Sequence, residues 1–120
     1  MSTSSSDDPF AQVRSRFAPR WEPRVRCGEG WAPLLVELDR AIAAVSPATE
    51  YIHIKEKHAQ LIVLVSPPAN AEVRELIDAA AAKAQSTCEN CGAAGVPHEK
   101  FGWVHVLCPR CAARDGYSPK

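Results

Sequence analysis

From residue 33 the apolar positions recur at helical spacing. Leu34, Leu35, Leu38, Ile42 and Val45 line one side of a predicted helix. Pro33 suits its first turn, where the missing N–H would have no partner anyway, and Ser46-Pro47 closes it. Between Glu50 and Lys57 the period changes to two. Ile52 and Ile54 are expected on one face of a strand, and Tyr51, His53 and Lys55 on the other, with one side buried. A turn near 57–59 leads into Leu61-Ile62-Val63-Leu64-Val65, a continuous β-prone run closed by Ser66-Pro67-Pro68. These two strands are expected to form a hairpin. Asn70 can then cap a second helix by accepting from first-turn N–H groups, and Val73, Leu76, Ile77, Ala80 and Ala84 make its inner stripe. Trp103-Val104-His105-Val106-Leu107 predicts one more strand. The fold class is therefore α+β, with the order helix, β-hairpin, helix. Two strands alone are marginal, so the helices must cover the hairpin or the sheet must gain strands.

The first third of the chain has no such periodicity. Residues 1–8 are Ser-rich and acidic and are expected to be disordered. Residues 9–26 interleave Phe10, Phe17 and Trp21 with Arg14, Arg16, Arg20, Arg24 and Arg26, and are broken by Pro9, Pro19 and Pro23. This reads as a flexible arm over 1–26, with one helical turn near 11–16. Gly28 and Gly30 mark a loop. Arginine beside aromatics suits single-stranded nucleic acid and equally an acidic protein partner. A tail that packs its aromatics onto the domain is the third reading.

Composition changes this picture little. The 120 residues suffice for one domain or for a small core with a metal-stapled appendage. A 46% hydrophobic, 23% charged composition is that of an ordinary globular protein. Zero formal net charge argues against a generic nucleic-acid binder, and only the arginine arm leaves that option open. No apolar run approaches the ~20 residues that span a bilayer, and the start lacks the basic and apolar regions of a secretion signal. The expectation is a cytoplasmic protein without a membrane partner. In a reducing compartment paired cysteines hold metal far more often than they form disulfides.

That matters because four of the five cysteines are paired: Cys88-x2-Cys91 and, after sixteen residues, Cys108-x2-Cys111. A two-residue gap lets one tight turn aim both sulfurs at a common point. Gly92 can take the positive φ such a turn favours, and Pro109 pre-sets the second turn. The spacing is that of a four-cysteine zinc ribbon. Four thiolates leave no open coordination position, so the Zn2+ is expected to be structural rather than catalytic. Sulfur tetrahedra also suit iron, and a dithiol redox pair is the remaining alternative. Lys100, Arg110 and Arg114 lie near enough in sequence to offset the charge of a zinc tetrathiolate.

The other candidates have plain readings beside their functional ones. Cys27 reads as a small buried hydrophobe, or else as a nucleophile. His98 and His105 flank the ribbon strand as surface groups or as substitute ligands. His53, Glu56 and His58 make either a solvated strand face or an acid–base cluster. Lys55-Glu56-Lys57 reads as a lysine-protected strand edge or as a recognition surface.

Taken in order, Gly30-Trp31, the Leu-rich helix, Ile54-Lys55-Glu56-Lys57, Leu61, Ser86-Thr87-Cys88-Glu89-Asn90-Cys91-Gly92, Gly102-Trp103 and Leu107-Cys108 resemble a family of small uncharacterised bacterial and phage proteins. That family joins an I-K-E-K-F-G-x-L-R hairpin to a T-C-E-x-C-G zinc ribbon. The resemblance covers roughly residues 28–112 and implies this fold arrangement and the ribbon, without an activity. Here His58-Ala59 stands in place of Phe-Gly and Ile62 in place of Arg.

The expected organisation is an arm over 1–26, a helix–hairpin–helix domain over 27–87, and a ribbon with a short tail over 88–120, packed on that domain. The expected function is a non-enzymatic zinc-ribbon binding module or small adaptor recognising protein or nucleic acid. Its recognition candidates are Arg14, Arg16, Arg20, Trp21, Arg24, Arg26, Lys55, Lys57, Lys100 and Arg110. A redox- or metal-responsive regulator using the zinc thiolates is the alternative, and a small enzyme built on His53, Glu56 and His58 comes third.

Overall fold

Leu34, Leu35, Leu38 and Ile42 are buried along one side of helix α2 (Ala32–Val45), where Pro33 occupies the first turn. The computed structural model in which this is seen describes residues 8–120. All of the Ser-rich start except Asp8 therefore lies outside the described residues. Val45, placed by its spacing on the same stripe, is exposed at the helix end. Helix α3 (Ala71–Ala84) is capped by Asn70, whose Oδ1 accepts from the Val73 N–H at 2.9 Å. It buries Val73, Ala80 and Ala84 against α2 and the sheet.

The hairpin forms as the alternation predicts, with β2 (Glu50–Lys57) antiparallel to β3 (Gln60–Ser66). Its turn places His58 and Ala59 at φ 49° and 68°, the left-handed pair that a two-residue hairpin needs. Glu56 Oε2 accepts from the Ala59 N–H at 2.7 Å and holds that turn. The facing of β2 differs from the simple alternation. The register slips between Tyr51 and His53, so Ile52 is an extra residue. A bulge of this kind reverses the facing of the residues on one side of it. Tyr51 and Ile54 are consequently both buried, and Ile52 is only half-buried.

The arm also differs from its expected flexible state. A short helix α1 (Ala11–Arg14) and the residues on either side of it bury Phe10, Val13, Phe17 and Ala18. Residues 16–18 then run along β2: the Tyr51 N–H donates to Arg16 O and the Ala18 N–H to Tyr51 O, both at 3.0 Å. Further on, β1 (Val25–Arg26) pairs parallel to β2, with Val25 opposite Ile54. The sheet thus gains its third strand, in the order β1-β2-β3, from the segment without periodicity. Burial of Phe10, Val13 and Phe17, together with the backbone bonds to β2, offsets the entropy of ordering this segment.

Asp39 ties these parts together from the buried side of α2. Its carboxylate accepts from Arg16 Nε at 2.6 Å, Tyr51 OH at 2.8 Å and Gln12 Nε2 at 3.1 Å. Burial first, and then the Asp39 charge, push the Tyr51 phenol well above its usual range.

Beyond α3, strands β4 (Val96–Lys100), β5 (Trp103–Leu107) and β6 (Ser118–Pro119) form a second small sheet, ordered β5-β4-β6. Helix α4 (Pro109–Asp115) leads from β5 to β6. Val106 belongs to the main hydrophobic core, so the two sheets share one interior. No helix among the described residues is long and apolar enough to cross a membrane.

Candidate metal centre and basic groove

Two turns present the four sulfurs. In the first, the Gly92 N–H donates to Cys88 O at 2.9 Å and the Cys88 N–H to Ala93 O at 2.7 Å, with Gly92 at φ 85°. In the second, Cys108 precedes α4 and its Sγ accepts from the Cys111 N–H at 3.4 Å. The four sulfurs lie within 4.8 Å of one another, and Cys91 Sγ and Cys108 Sγ are 3.7 Å apart. A tetrahedral metal with bonds of about 2.3 Å to sulfur has S···S edges of about 3.8 Å. A disulfide would need about 2.05 Å, and all four thiols are free. The donor set and its spacing therefore fit a tetrahedral metal ion. The Cys111 N–H bond pulls the Cys108 thiol down, while burial and the neighbouring sulfurs push Cys111 up. Ionising all four sulfurs without a cation is unfavourable, so the cluster is suited to a metal cation.

The centre is built into the fold through its first turn. The Gly30 N–H donates to Glu89 O at 2.7 Å, the Gly28 N–H to Glu89 Oε2 at 2.9 Å, and Trp31 Nε1 to Thr87 O at 2.8 Å. A side chain at Gly30 would put its Cβ 2.3 Å from Cys88 O and 2.6 Å from Gly92 N. Both are backbone atoms that cannot swing aside, so only glycine allows this approach.

No family model, no curated protein and no solved structure matches this chain. Its functional reading therefore rests on its own geometry. His98 and His105 both stay out of the sulfur cluster. His98 is buried with Nδ1 2.8 Å from Val96 O, and His105 turns to Glu89. Cys27 is half-buried against the core. Burial, then Glu89 and Glu56, raise its thiol to about 12, which makes it a poor nucleophile.

The recognition candidates separate into three groups. Arg14 and Arg16 are structural: Arg14 Nε pairs with Asp8 at 2.7 Å and its Nη1 donates to Pro23 O, while Arg16 holds Asp39 and Pro47 O. Lys57, Lys100 and Arg110 lie elsewhere. Lys57 ends β2 opposite Gln60, Lys100 Nζ donates to Asp115 O at 3.0 Å, and Arg110 is exposed on α4. The remaining five, Arg20, Trp21, Arg24, Arg26 and Lys55, line one groove of about 400 Å³ with His53. It arises because the arm pairs with β2 at Phe17 and again at Val25, and loops away between them, opposite the bulge. Trp21 is 41% exposed and stacks edgewise on His53 at 4.9 Å.

His53, Glu56 and His58 do not converge. His53 faces the groove, Glu56 binds the Ala59 N–H and His105, and His58 sits in the turn. Asp39 escaped the sequence reading because it is the polar member of an otherwise apolar helix face. Only its spacing, four residues after Leu35 and three before Ile42, marks it as lying on the buried side.

Proposed function

We propose that this chain is a non-enzymatic zinc-ribbon module that binds single-stranded nucleic acid in the groove between the arm and β2. The reading includes kinship with the small bacterial and phage proteins that the hairpin and ribbon resemble. The observation that carries it is the groove. Arg20, Arg24, Arg26 and Lys55 surround a half-exposed Trp21, with Glu22 as the single acid in the lining. Glu22 pairs with Arg24 at 3.2 Å in an exposed contact of little energetic weight. Guanidinium groups fit phosphate oxygens, and an exposed indole accepts a base by stacking. An acidic protein segment would use the same cations, and base stacking on Trp21 is what favours nucleic acid here. Zinc is supported by the all-thiolate donor set and the near-tetrahedral sulfur edge. Its role is to hold the ribbon, and the ribbon braces the sheet that carries the groove.

The test is binding of a fluorescent single-stranded oligonucleotide to the full chain across a salt series. Four engaged cations give a slope of log K against log salt of about −2.8. The double variant Arg24→Ala/Arg26→Ala should flatten it by about 1.4. Trp21→Ala should cost about 1–3 kcal/mol with the slope kept. Unchanged affinity in both variants would remove the groove from recognition, and with it this function.

A further inference from the structure

The ribbon and the hairpin meet at a second cluster of donor atoms. The glutamates of Lys55-Glu56-Lys57 and of Cys88-Glu89-Asn90-Cys91 are 33 positions apart in sequence, yet both reach the imidazole of His105. His105 Nδ1 is 2.8 Å from Glu89 Oε1 and 3.4 Å from Glu56 Oε2, and one donor atom of each residue lies within 4.8 Å of the others. We infer that Glu56, Glu89 and His105 form a second metal site, for a divalent first-row transition ion such as Mn2+ or Zn2+.

Three observations lead there. A metal bound to nitrogen and oxygen at about 2.0–2.2 Å has ligand–ligand edges of about 2.9–3.5 Å. The separations of 2.8 and 3.4 Å from Nδ1 fall close to that range. The carboxylates are also short of positive charge. Their side chains are 8% and 14% exposed, and among the described residues no lysine or arginine pairs with either. A single imidazole faces two carboxylates, one buried and one largely so, and one divalent cation would balance both. Finally, the donors are held before any ion arrives. The Gly28 N–H fixes Glu89 Oε2 at 2.9 Å and the Ala59 N–H fixes Glu56 Oε2 at 2.7 Å, while β5 fixes the His105 backbone. Backbone donors of this kind orient ligand carboxylates and raise affinity.

The site differs from the cysteine centre in ligand type and in openness. Three protein ligands leave positions for water or for an oxygen-bearing ligand, and a small pocket beside His105, lined also by Asn90, Asp115 and Tyr117, adjoins it. Because Glu56 belongs to the hairpin and Glu89 to the ribbon, an ion here would cross-link the two sheets.

Manganese distinguishes the two centres, since it prefers oxygen and nitrogen ligands to thiolates. The full-length chain, loaded with one zinc, is titrated with MnCl2 while free Mn2+ is followed by its EPR signal. One Mn2+ should bind per chain, with the zinc retained. His105→Ala and Glu56→Gln should each weaken manganese by at least about tenfold, with zinc content and far-UV circular dichroism unchanged. In Glu56→Gln the amide oxygen can still accept from the Ala59 N–H, so the turn is preserved. A chain that binds no manganese, or variants that bind it as tightly as the parent, would overturn the site and leave His105 as a hydrogen-bonded clamp between the sheets.

Discussion

Removing the metal from the four-cysteine centre, by chelation or by Cys88→Ser, should melt residues 88–120 and lower the stability of the rest. The cluster around the four sulfurs contains Cys88, Leu107, Cys108, Cys111 and Ala112, with Tyr117 packed against it. Three of its five buried members are ligands, so without the ion there is little apolar surface to hold it closed. Structural zinc in comparable peptides is bound by about 10–16 kcal/mol, as much as or more than the roughly 5–15 kcal/mol that stabilises a typical domain. The damage should spread. Val106 fills part of the main core, and the Gly28, Gly30 and Trp31 contacts all end on the first cysteine turn or the residue before it. Losing them should lower the melting temperature of the remaining fold by at least about 10 °C. Limited proteolysis with mass mapping, beside a thermal melt, checks both parts. Metal-free protein that keeps its melting temperature and its protease resistance past residue 88 would show that the centre does not hold the fold.

Asp39→Ala should destabilise the protein by about 3–5 kcal/mol. Its side chain is only 4% exposed and that of Arg16 18%, so solvent replaces little of what is lost. The substitution leaves the Arg16 guanidinium, the Tyr51 hydroxyl and the Gln12 amide without their common acceptor. An unpaired buried donor costs more than the bond it made. Arg16 still has Pro47 O and Thr49 O within reach, which places the expected value at the lower end. Urea denaturation of parent and variant measures it. A difference below about 1 kcal/mol would mean that Asp39 is not the tie between α1, α2 and β2.

The parts of this fold legible in the sequence are those where one residue pattern meets one physical demand. Leu34 to Ile42 repeat at helical spacing and form α2; Asn70 stands where a cap is needed and caps. The cysteines could be read because thiolate pairs at that spacing have few other uses. What stayed hidden depends on non-local pairing. The bulge at Ile52 has no local marker, and it reversed the facing of Tyr51. The arm mixes prolines, arginines and aromatics, so whether Phe10, Val13 and Phe17 find a core is decided by α2 and β2, not by the arm itself. Arg14 and Arg16 resemble Arg20 and Arg24 in composition alone. Only their partners, Asp8 six residues before Arg14 and Asp39 across the fold from Arg16, separate these guanidiniums from those that line the groove. Glu56 and Glu89 sit in separate motifs, and nothing in either points to the other.

The arm's pairing with β2 also has a bearing on solubility. Residues 16–18 and Val25–Arg26 occupy the hydrogen-bonding edge of β2 that β3 does not. Without them that edge is a bare row of N–H and C=O groups beside Tyr51 and Ile54, a template on which a second chain can add a strand. The same segment that shapes the groove therefore works as a guard against aggregation. A chain shortened by residues 1–26 should self-associate at concentrations where the intact protein stays dispersed.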